Sequence, residues 1–189
     1  MIIYLVRHEE THWNKKGIVQ GHKDSALTLN GKINAEDKGK ILKGKNIEII
    51  YSSDLGRCIQ TAGIINKHLG KELITTSQLR ERDFGSLNGQ HWEKVESELS
   101  FSDYCKIAPN GESCNQMKNR FFEFIHSLPD KKLQEALVVT HGGPIRAVLS
   151  NFYKKVTSPK ECGCSRKTIY KFELKNNKIE KLEFLNNAQ

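Results

Sequence analysis

Short apolar runs alternate with longer segments of helical pattern along this chain, and this alternation limits the folds that it can adopt. The first run is Ile2–Val6, and a similar run follows much later, at 136–140. Runs of this length and composition are typical of strands buried on both faces of a parallel sheet. Strands that alternate with helices form a three-layer α/β/α sandwich, with a mostly parallel central sheet and helices on both faces. We predict this fold class, in a single domain that spans residues 1–189.

Caps and chain breakers place the remaining elements. Thr28 is suited to cap a helix that Gly44 follows. Either Ser53 or Asp54 is suited to cap the next helix, and Pro144 fits the first position of the last one. Helices are predicted at about 28–42, 53–68, 90–99, 113–128 and 144–153, and further strands at 47–51 and 73–76.

The C-terminal part of the chain carries a hairpin signal. Apolar and polar residues alternate over 168–174 and 179–184, on either side of Asn176-Asn177. Alternation with a period of two indicates strands, and an Asn pair suits the tight turn between them. We expect an antiparallel hairpin at one edge of the sheet.

The charge balance bears on possible partners. Lys and Arg number 30 against 22 Asp and Glu, which gives a net charge of +8. The basic residues are scattered, without a basic run or a basic–aromatic array, which favours a solvated lysine-rich surface over a nucleic-acid interface. Such a surface still attracts phosphorylated small molecules.

The chain lacks the apolar segments that export or membrane insertion requires. No apolar run approaches the roughly 20 residues of a membrane-spanning helix. Charged residues from Arg7 onward interrupt the N-terminal run after six residues, which is too short for a secretory signal. We expect a cytoplasmic protein without a membrane partner, present as a monomer or a homodimer.

The cysteines favour neither a disulfide framework nor a metal centre. Their number is odd, and no export signal accompanies them. Cys162 and Cys164 form a C-x-C pair rather than the C-x-x-C pair of a zinc ribbon. We expect reduced thiols and no bound metal, with a soft metal at the C-x-C pair as the alternative. The five residues are Cys58, Cys105, Cys114, Cys162 and Cys164.

Reactive side chains follow four of the predicted strands, at the carboxyl ends where α/β proteins bind ligands. In chain order they are Arg7 with His8, then Arg57, Glu81 and His141. One edge of the sheet would therefore hold two imidazoles, at least two guanidiniums and a carboxylate.

These residue types suit phosphoryl transfer. A guanidinium matches phosphate oxygens with two parallel N–H donors. A histidine can attack phosphorus and hold the phosphoryl group covalently, which divides one difficult step into two. A carboxyl group can protonate the leaving oxygen and later accept a proton from the attacking water. No metal or cofactor is required if guanidinium and imidazolium groups supply the positive charge.

Four segments of the chain form a recognisable set of motifs. They are LVRHEET at 5–11, SSDLGR at 52–57, LRERDFGSLNG at 79–89 and VTHGGPIR at 139–146. In order and spacing they resemble the histidine phosphatase superfamily, the phosphoglycerate mutase-like proteins. The resemblance covers residues 2–150 and is nearest to the short bacterial phosphatases, such as α-ribazole phosphatases and broad-specificity phosphatases.

The resemblance implies a role for each reactive residue. His8 would be the nucleophile that becomes phosphohistidine, and Glu81 the proton donor to the leaving group. The phosphoryl group would be held by Arg7, Arg57, His141 and the backbone N–H of Gly142.

Three further expectations concern the tautomer of His8, the acid that protonates the leaving group and the residues that line the pocket. The attacking nitrogen of His8 must be unprotonated, so its other ring nitrogen should donate to a nearby carbonyl group. Asp83 is an alternative acid, although the motif match favours Glu81. By the resemblance, the pocket is lined by Thr11, Asn14, Gln20 and Gly21.

We predict a metal-independent phosphatase that hydrolyses phosphomonoesters of small metabolites through a phosphohistidine on His8. The first alternative is a 2,3-bisphosphoglycerate-dependent phosphoglycerate mutase, but mutases of the family carry a longer insertion with paired arginines. Here the stretch 90–119 contains only Lys94, Lys106 and Lys118 as basic residues. A non-catalytic member that binds phosphorylated ligands and a phosphatase of phosphohistidine proteins stay open.

One residue departs from the family pattern. The family has glycine after the nucleophile, whereas this chain has Glu9. A carboxylate at this position either points out of the pocket or approaches the phosphate, where it would repel the substrate and raise the pKa of neighbouring groups. Glu9 thus bears on rate and substrate range rather than on the reaction class.

Overall fold

One six-stranded sheet forms the centre of the computed structural model, which describes residues 1–99, 106–128, 132–152 and 164–185. The strands are β1 (Ile2–Arg7), β2 (Ile49–Ser53), β3 (Glu72–Thr76), β4 (Glu135–Thr140), β5 (Ile169–Lys175) and β6 (Lys178–Leu185). Their order across the sheet is β3-β2-β4-β1-β5-β6. Strands β1 to β4 run parallel, β5 lies antiparallel beside β1, and β6 lies antiparallel beside β5. The predicted mostly parallel sheet with an antiparallel edge hairpin is confirmed.

Helices cover both faces of this sheet. They are α1 (His12–Lys15), α2 (Leu29–Leu42), α3 (Gly56–Leu69), α4 (Trp92–Glu98), α5 (Cys114–Ser127) and α6 (Gly142–Leu149). Ile3 and Leu5 of β1 pack with residues of α5 and α6, while Tyr4 and Val6 pack with residues of α2 and α3 on the other face. This confirms the three-layer sandwich. None of the helices in the described ranges is long and apolar enough to cross a membrane.

The start of α3 differs from the prediction. Its N-cap is Leu55, which makes no side-chain cap, so neither Ser53 nor Asp54 caps this helix. The carboxylate of Asp24, in the loop between α1 and α2, instead accepts hydrogen bonds from the backbone N–H groups of Gly56 (2.7 Å) and Arg57 (3.3 Å). A tertiary contact thus replaces the local cap, since a carboxylate satisfies helix N-terminal N–H groups from any chain segment.

Other element boundaries shift by about one turn or less. Helix α6 begins at Gly142, so Pro144 is its third residue rather than its first. Pro is still tolerated there, because the N–H groups of the first turn have no partner within the helix. Strand β2 begins at Ile49 rather than Ile47, although Ile47 is buried in the same apolar cluster. The predicted end of α6 at Tyr153 lies outside the described residues, and the helix ends at Leu149.

The cysteines within the described ranges form no disulfide: Cys58 and Cys164 are buried and Cys114 is half-buried. Cys105 and Cys162 lie outside those ranges, so the predicted C-x-C pair is seen only at Cys164. At the described positions the structure therefore agrees with thiols that are not cross-linked.

Candidate active site

The two motif histidines lie side by side because β1 and β4 are neighbours in the sheet. Arg7 pairs with Thr140 in parallel register, and the backbone N–H of His8 donates to the Thr140 carbonyl at 2.8 Å. The next residues on the two strands, His8 and His141, are both buried, with ring centroids 5.2 Å apart. Sheet topology therefore brings together two motifs that are far apart in sequence.

The ring of His8 has one fixed tautomer. Its Nδ1 lies 2.8 Å from the backbone carbonyl oxygen of Glu9, which can only accept, so Nδ1 carries the hydrogen and Nε2 keeps a lone pair. This is the carbonyl contact predicted from the chemistry. Burial lowers the pKa of His8 well below its ordinary value, and the positive charges of Arg57 and Arg7 lower it further. His8 is therefore a neutral imidazole with a free Nε2.

His141 is held by a polar contact on the β2 side. Its Nε2 lies 2.9 Å from the hydroxyl oxygen of Ser53 and 3.3 Å from the Cys58 sulfur. Burial lowers the pKa of His141 well below its usual range, with Arg57 as the next cause. Both histidines are thus neutral before an anion enters the site.

Arg57 is fixed by the loop that precedes α2. One terminal nitrogen donates to the carbonyl of Lys23 and the carboxylate of Asp24, both at 2.8 Å, and the other donates to the Gly21 carbonyl at 2.7 Å. Gly21 has φ +50°, and a Cβ there would lie 1.8 Å from the Asn88 side-chain oxygen, so only glycine fits. The loop clamps both ends of the guanidinium and leaves its Nε without a partner among the described residues.

Arg7 shares the unpartnered Nε of Arg57, although only one of its terminal nitrogens donates to a carbonyl. One terminal nitrogen donates to the Cys164 carbonyl at 3.1 Å, while its buried Nε has no partner among the described residues. A buried N–H of a charged group without a hydrogen bond costs roughly 1–3 kcal/mol or more. Two such groups in one site, on Arg7 and Arg57, indicate that an anion completes it.

A cavity of about 510 Å³ is lined by Arg7, His8 and Arg57, whereas the buried His141 does not line it. Three of the predicted pocket residues line it: Asn14, Gln20 and Gly21. The fourth, Thr11, is fully buried and does not line it, because its hydroxyl caps α1 and bonds the Asn14 side-chain oxygen at 3.0 Å. The other lining residues are Arg7, His8, Gly17, Ile18, Val19, Arg57, Glu81, Phe84, Trp92, Glu93, Glu96, Arg146 and Arg166.

Glu81 reaches this cavity from the loop after β3. Its carboxylate accepts the backbone N–H of Arg82 at 2.9 Å and that of Gly143 at 3.1 Å. A Cβ at Gly143 would lie 2.1 Å from the carboxylate, which explains the second glycine of the His-Gly-Gly motif. Burial acts to raise the pKa of Glu81, but the Arg146 guanidinium and the two N–H donors lower it below its ordinary value.

Gly142 and Asp83 lie away from the open cavity. A Cβ at Gly142 would lie 3.2 Å from the Arg7 guanidinium carbon, so this backbone packs directly against that group. The Asp83 carboxylate accepts from the Gly85 N–H at 2.8 Å and the Asn88 side-chain amide at 2.6 Å, and it does not line the cavity. Of the two predicted acids, the structure brings Glu81 to the site and uses Asp83 to hold the loop.

Arg120 of α5 also holds this loop, although no motif of the chain contains it. Its guanidinium donates to the carbonyls of Gln78 (3.0 Å), Arg80 (2.8 Å) and Glu81 (2.7 Å), and it pairs with Glu112. A single arginine on a helix is usually a surface residue. No local signal distinguishes this one, since its partners are backbone groups of a distant segment.

Glu9 takes the first of the two orientations considered for it. The side chain is fully buried, does not line the cavity, and forms an ion pair with Lys38 of α2. Its backbone N–H donates to the Thr61 hydroxyl at 3.1 Å. The carboxylate therefore does not stand where it would repel a bound phosphate.

The comparisons with known proteins identify the family. Residues 3–187 match the model of the histidine phosphatase superfamily, branch 1. The chain belongs to this family. It is 36% identical over 172 residues to the metal-independent phosphoserine phosphatase of Arabidopsis thaliana, covering 85% of this chain and 71% of that protein. It is 35% identical over 162 residues to the 2,3-bisphosphoglycerate-dependent phosphoglycerate mutase of Bartonella bacilliformis, covering 78% of this chain and 79% of that protein.

A solved structure agrees with this membership. The alpha-ribazole phosphatase of Shigella flexneri superimposes with a TM-score of 0.82 at 22% identity, covering 99% of this chain and 96% of that one. At this identity the likeness concerns the fold. Together with the family match, these findings confirm the predicted superfamily, its fold and a phosphoric monoester hydrolase of the histidine phosphatase type.

The two neutral histidines predict a specific loss of stability in mild acid. In the unfolded chain both rings protonate near pH 6.5, whereas the folded protein keeps them neutral to lower pH. Below pH 6.5 the unfolded state therefore binds more protons, and stability falls with falling pH by about 1.4 kcal/mol per unit for each ring. Urea unfolding in phosphate-free buffer should give a free energy of unfolding about 2–3 kcal/mol lower at pH 5.5 than at pH 7.

His141→Asn should remove about half of this pH dependence, while His126→Ala, outside the cavity, should leave it unchanged. A free energy of unfolding that does not change between pH 7 and pH 5.5 would show that the folded protein binds these protons too.

Proposed function

We propose that this protein hydrolyses phosphomonoesters of small metabolites without a metal ion, through a phosphohistidine formed on Nε2 of His8. One observation carries the proposal. The unprotonated Nε2 belongs to a residue that lines the same cavity as two guanidiniums with unsatisfied Nε–H groups. A nucleophile beside unpaired anion donors suits attack on a bound phosphoryl group.

The reaction has two balanced steps. Nε2 of His8 forms a bond to phosphorus as the bond to the leaving oxygen breaks, and Glu81 gives its proton to that oxygen. A water molecule then attacks the phosphohistidine, Glu81 takes the proton of the water, and the P–N bond breaks to release phosphate. Arg7 and Arg57, which line the cavity, bind the phosphoryl oxygens throughout. The other two predicted donors, His141 and the backbone N–H of Gly142, lie behind this lining, with Gly142 packed against the Arg7 guanidinium.

Glu81 must be protonated to act in the first step. The cations around it lower its pKa in the empty site, but an incoming phosphate dianion opposes them and favours the proton. Substrate binding therefore favours the protonated form of Glu81. Turnover of substrates with poor leaving groups should accordingly increase as the pH falls from neutral toward the acid range, until His8 itself becomes protonated.

The wall of the cavity bears on the choice between phosphatase and mutase. Helix α4 contributes Trp92, Glu93 and Glu96 to the lining, and Lys94 and Lys106 do not line the cavity. These two carboxylates belong to exposed residues, and they disfavour the acid group of a phosphoglycerate because like charges repel. They favour leaving groups that are neutral or carry an amine.

A screen of phosphorylated metabolites tests this function directly. Release of inorganic phosphate should be measured for α-ribazole phosphate, phosphoserine and the phosphoglycerates, with and without EDTA. We expect hydrolysis of neutral or amine-bearing esters, at a rate that EDTA leaves unchanged because guanidiniums supply the positive charge. Loss of activity with EDTA would overturn the metal-free mechanism, and interconversion of phosphoglycerates faster than hydrolysis would establish the mutase.

A further inference from the structure

Arg166, in the turn that leads into β5, shares the features of the two motif arginines. It lines the same cavity, and its buried Nε has no hydrogen-bond partner among the described residues. Arg7 and Arg57 have the same two features. No motif of the sequence contains Arg166, which lies beyond the segment 2–150 that carries the resemblance.

The position of Arg166 relates it to the phosphoryl end of the cavity. After Arg57 and Arg7, its charge is the next that lowers the pKa of His8. Burial lowers the pKa of Arg166 itself to about 10, with the neighbouring Arg7 as the second cause. The chain segment of Arg166 also adjoins Arg7, whose guanidinium donates to the carbonyl of Cys164, two residues before Arg166, at 3.1 Å. Arg166 therefore lies beside an arginine of the phosphate motif, whereas Glu93 and Glu96 line the part of the cavity formed by α4.

The backbone of Arg166 is held by Lys38, the ion-pair partner of the residue that departs from the family pattern, Glu9. Lys38 donates one hydrogen bond to the carboxylate of Glu9 and another to the carbonyl oxygen of Arg166. Glu9 is fully buried and Lys38 is only 3% exposed. A buried ion pair contributes little net stability, because the desolvation of both charges offsets their attraction. The Glu9–Lys38 pair instead links α2 to the end of β1 and to the turn that carries Arg166.

We propose that Arg166 is a third guanidinium contact to the transferring phosphoryl group, and that the buried Glu9–Lys38 pair is its positioning device. The inference rests on the proposed phosphatase function. It gives the carboxylate at position 9 a role: a glycine there would leave Lys38 without its buried partner and the Arg166 turn without that anchor.

The first test replaces Arg166 and measures inhibition by vanadate, a mimic of the phosphoryl group in transfer. Arg166→Gln should raise the inhibition constant of vanadate about 10- to 100-fold, because a hydrogen bond between charged groups is lost. It should lower kcat/KM by a similar factor for p-nitrophenyl phosphate and for an alkyl phosphate alike. Arg166→Lys, which keeps the charge but loses the planar fork, should give a smaller loss of the same kind.

The matched control is Lys167→Gln, which removes one positive charge from the adjacent exposed residue outside the cavity. It should change the inhibition constant of vanadate and kcat/KM by less than about twofold, because an exposed charge is screened. An unchanged vanadate constant in a folded Arg166→Gln protein would overturn the proposal. So would a loss confined to one leaving group, which would place Arg166 at the other end of the substrate.

The second test examines the positioning pair by a double-mutant cycle. The variant Glu9→Gln/Lys38→Met removes both charges together, so no single buried charge is left unpaired. In the wild-type background it should raise the vanadate constant about 5- to 10-fold, and in the Arg166→Gln background less than about twofold. Equal factors in both backgrounds would show a general structural effect and overturn the positioning role.

Failure of the inference can be told apart from failure of the proposed function. Calorimetric titration with inorganic phosphate measures the Arg166 contact without any turnover. If wild type hydrolyses no phosphomonoester but Arg166→Gln still weakens phosphate binding, the function fails and the anion contact stands. If wild type is active and Arg166→Gln binds phosphate normally, only the inference fails.

Discussion

Replacement of His8 by alanine is expected to lower kcat for every phosphomonoester by at least about 10⁴-fold. His8 is the one imidazole among the described cavity residues, and the other motif histidine, His141, is fully buried and held against Ser53. Phosphate should still bind, because Arg7 and Arg57 keep their unpaired donors. Steady-state hydrolysis of p-nitrophenyl phosphate measures kcat, and calorimetric titration measures the affinity for phosphate.

The control is His126→Ala, which removes a histidine of α5 that does not line the cavity. It should leave kcat within about twofold of wild type. Wild-type protein quenched during turnover should carry an acid-labile phosphoryl group that His8→Ala lacks. If wild type and His8→Ala bind phosphate equally and are equally inactive, the protein is a non-catalytic member that binds phosphorylated ligands.

Replacement of Glu81 by glutamine should produce an effect that depends on the leaving group. Glutamine keeps the shape and can accept the Gly143 N–H but cannot give up a proton. Transfer from an alkyl phosphate should fall about 10²- to 10³-fold, because the alkoxide needs protonation as it departs. Transfer from p-nitrophenyl phosphate should fall less than about tenfold, because nitrophenolate departs unprotonated.

Rapid-quench kinetics separate the two steps for this variant. With p-nitrophenyl phosphate, Glu81→Gln should release nitrophenolate in a burst and then turn over slowly, because the attacking water has lost its base. Asp83→Asn is the control, since Asp83 holds the loop outside the cavity. An equal loss for both leaving groups in Glu81→Gln, or the leaving-group dependence appearing in Asp83→Asn instead, would refute the assignment of the acid.

Much of the fold was predictable because its signals are local. The apolar runs of β1 and β4, the cap at Thr28 and the Asn176-Asn177 turn each act over a few residues, and all appear in the structure. Both turn residues have positive φ, 49° and 57°, as a tight hairpin requires. The start of α3 was not predictable, because its capping carboxylate, Asp24, lies more than thirty residues earlier in the chain.

The same difference between local signals and distant contacts separates the site residues that were predicted from those that were not. Arg7, His8, Arg57, Glu81 and His141 stand in motifs at strand ends, so their convergence follows from a parallel sheet once the strands are assigned. Arg120 and Arg166 lie outside the four motifs. An isolated charged residue is usually exposed, and only its distant partners show otherwise.

The sequence by itself determined which reactive groups meet at one edge of the sheet, because two histidines and their arginines stand at the ends of parallel strands, and these residue types suit phosphoryl transfer. Only the tertiary structure decided how that chemistry is held. Glu9 could have faced the phosphate or turned away from it, and no neighbour in sequence favours either. Lys38 of α2 decides between them, because a buried carboxylate requires a nearby opposite charge and packing of α2 against the end of β1 supplies it.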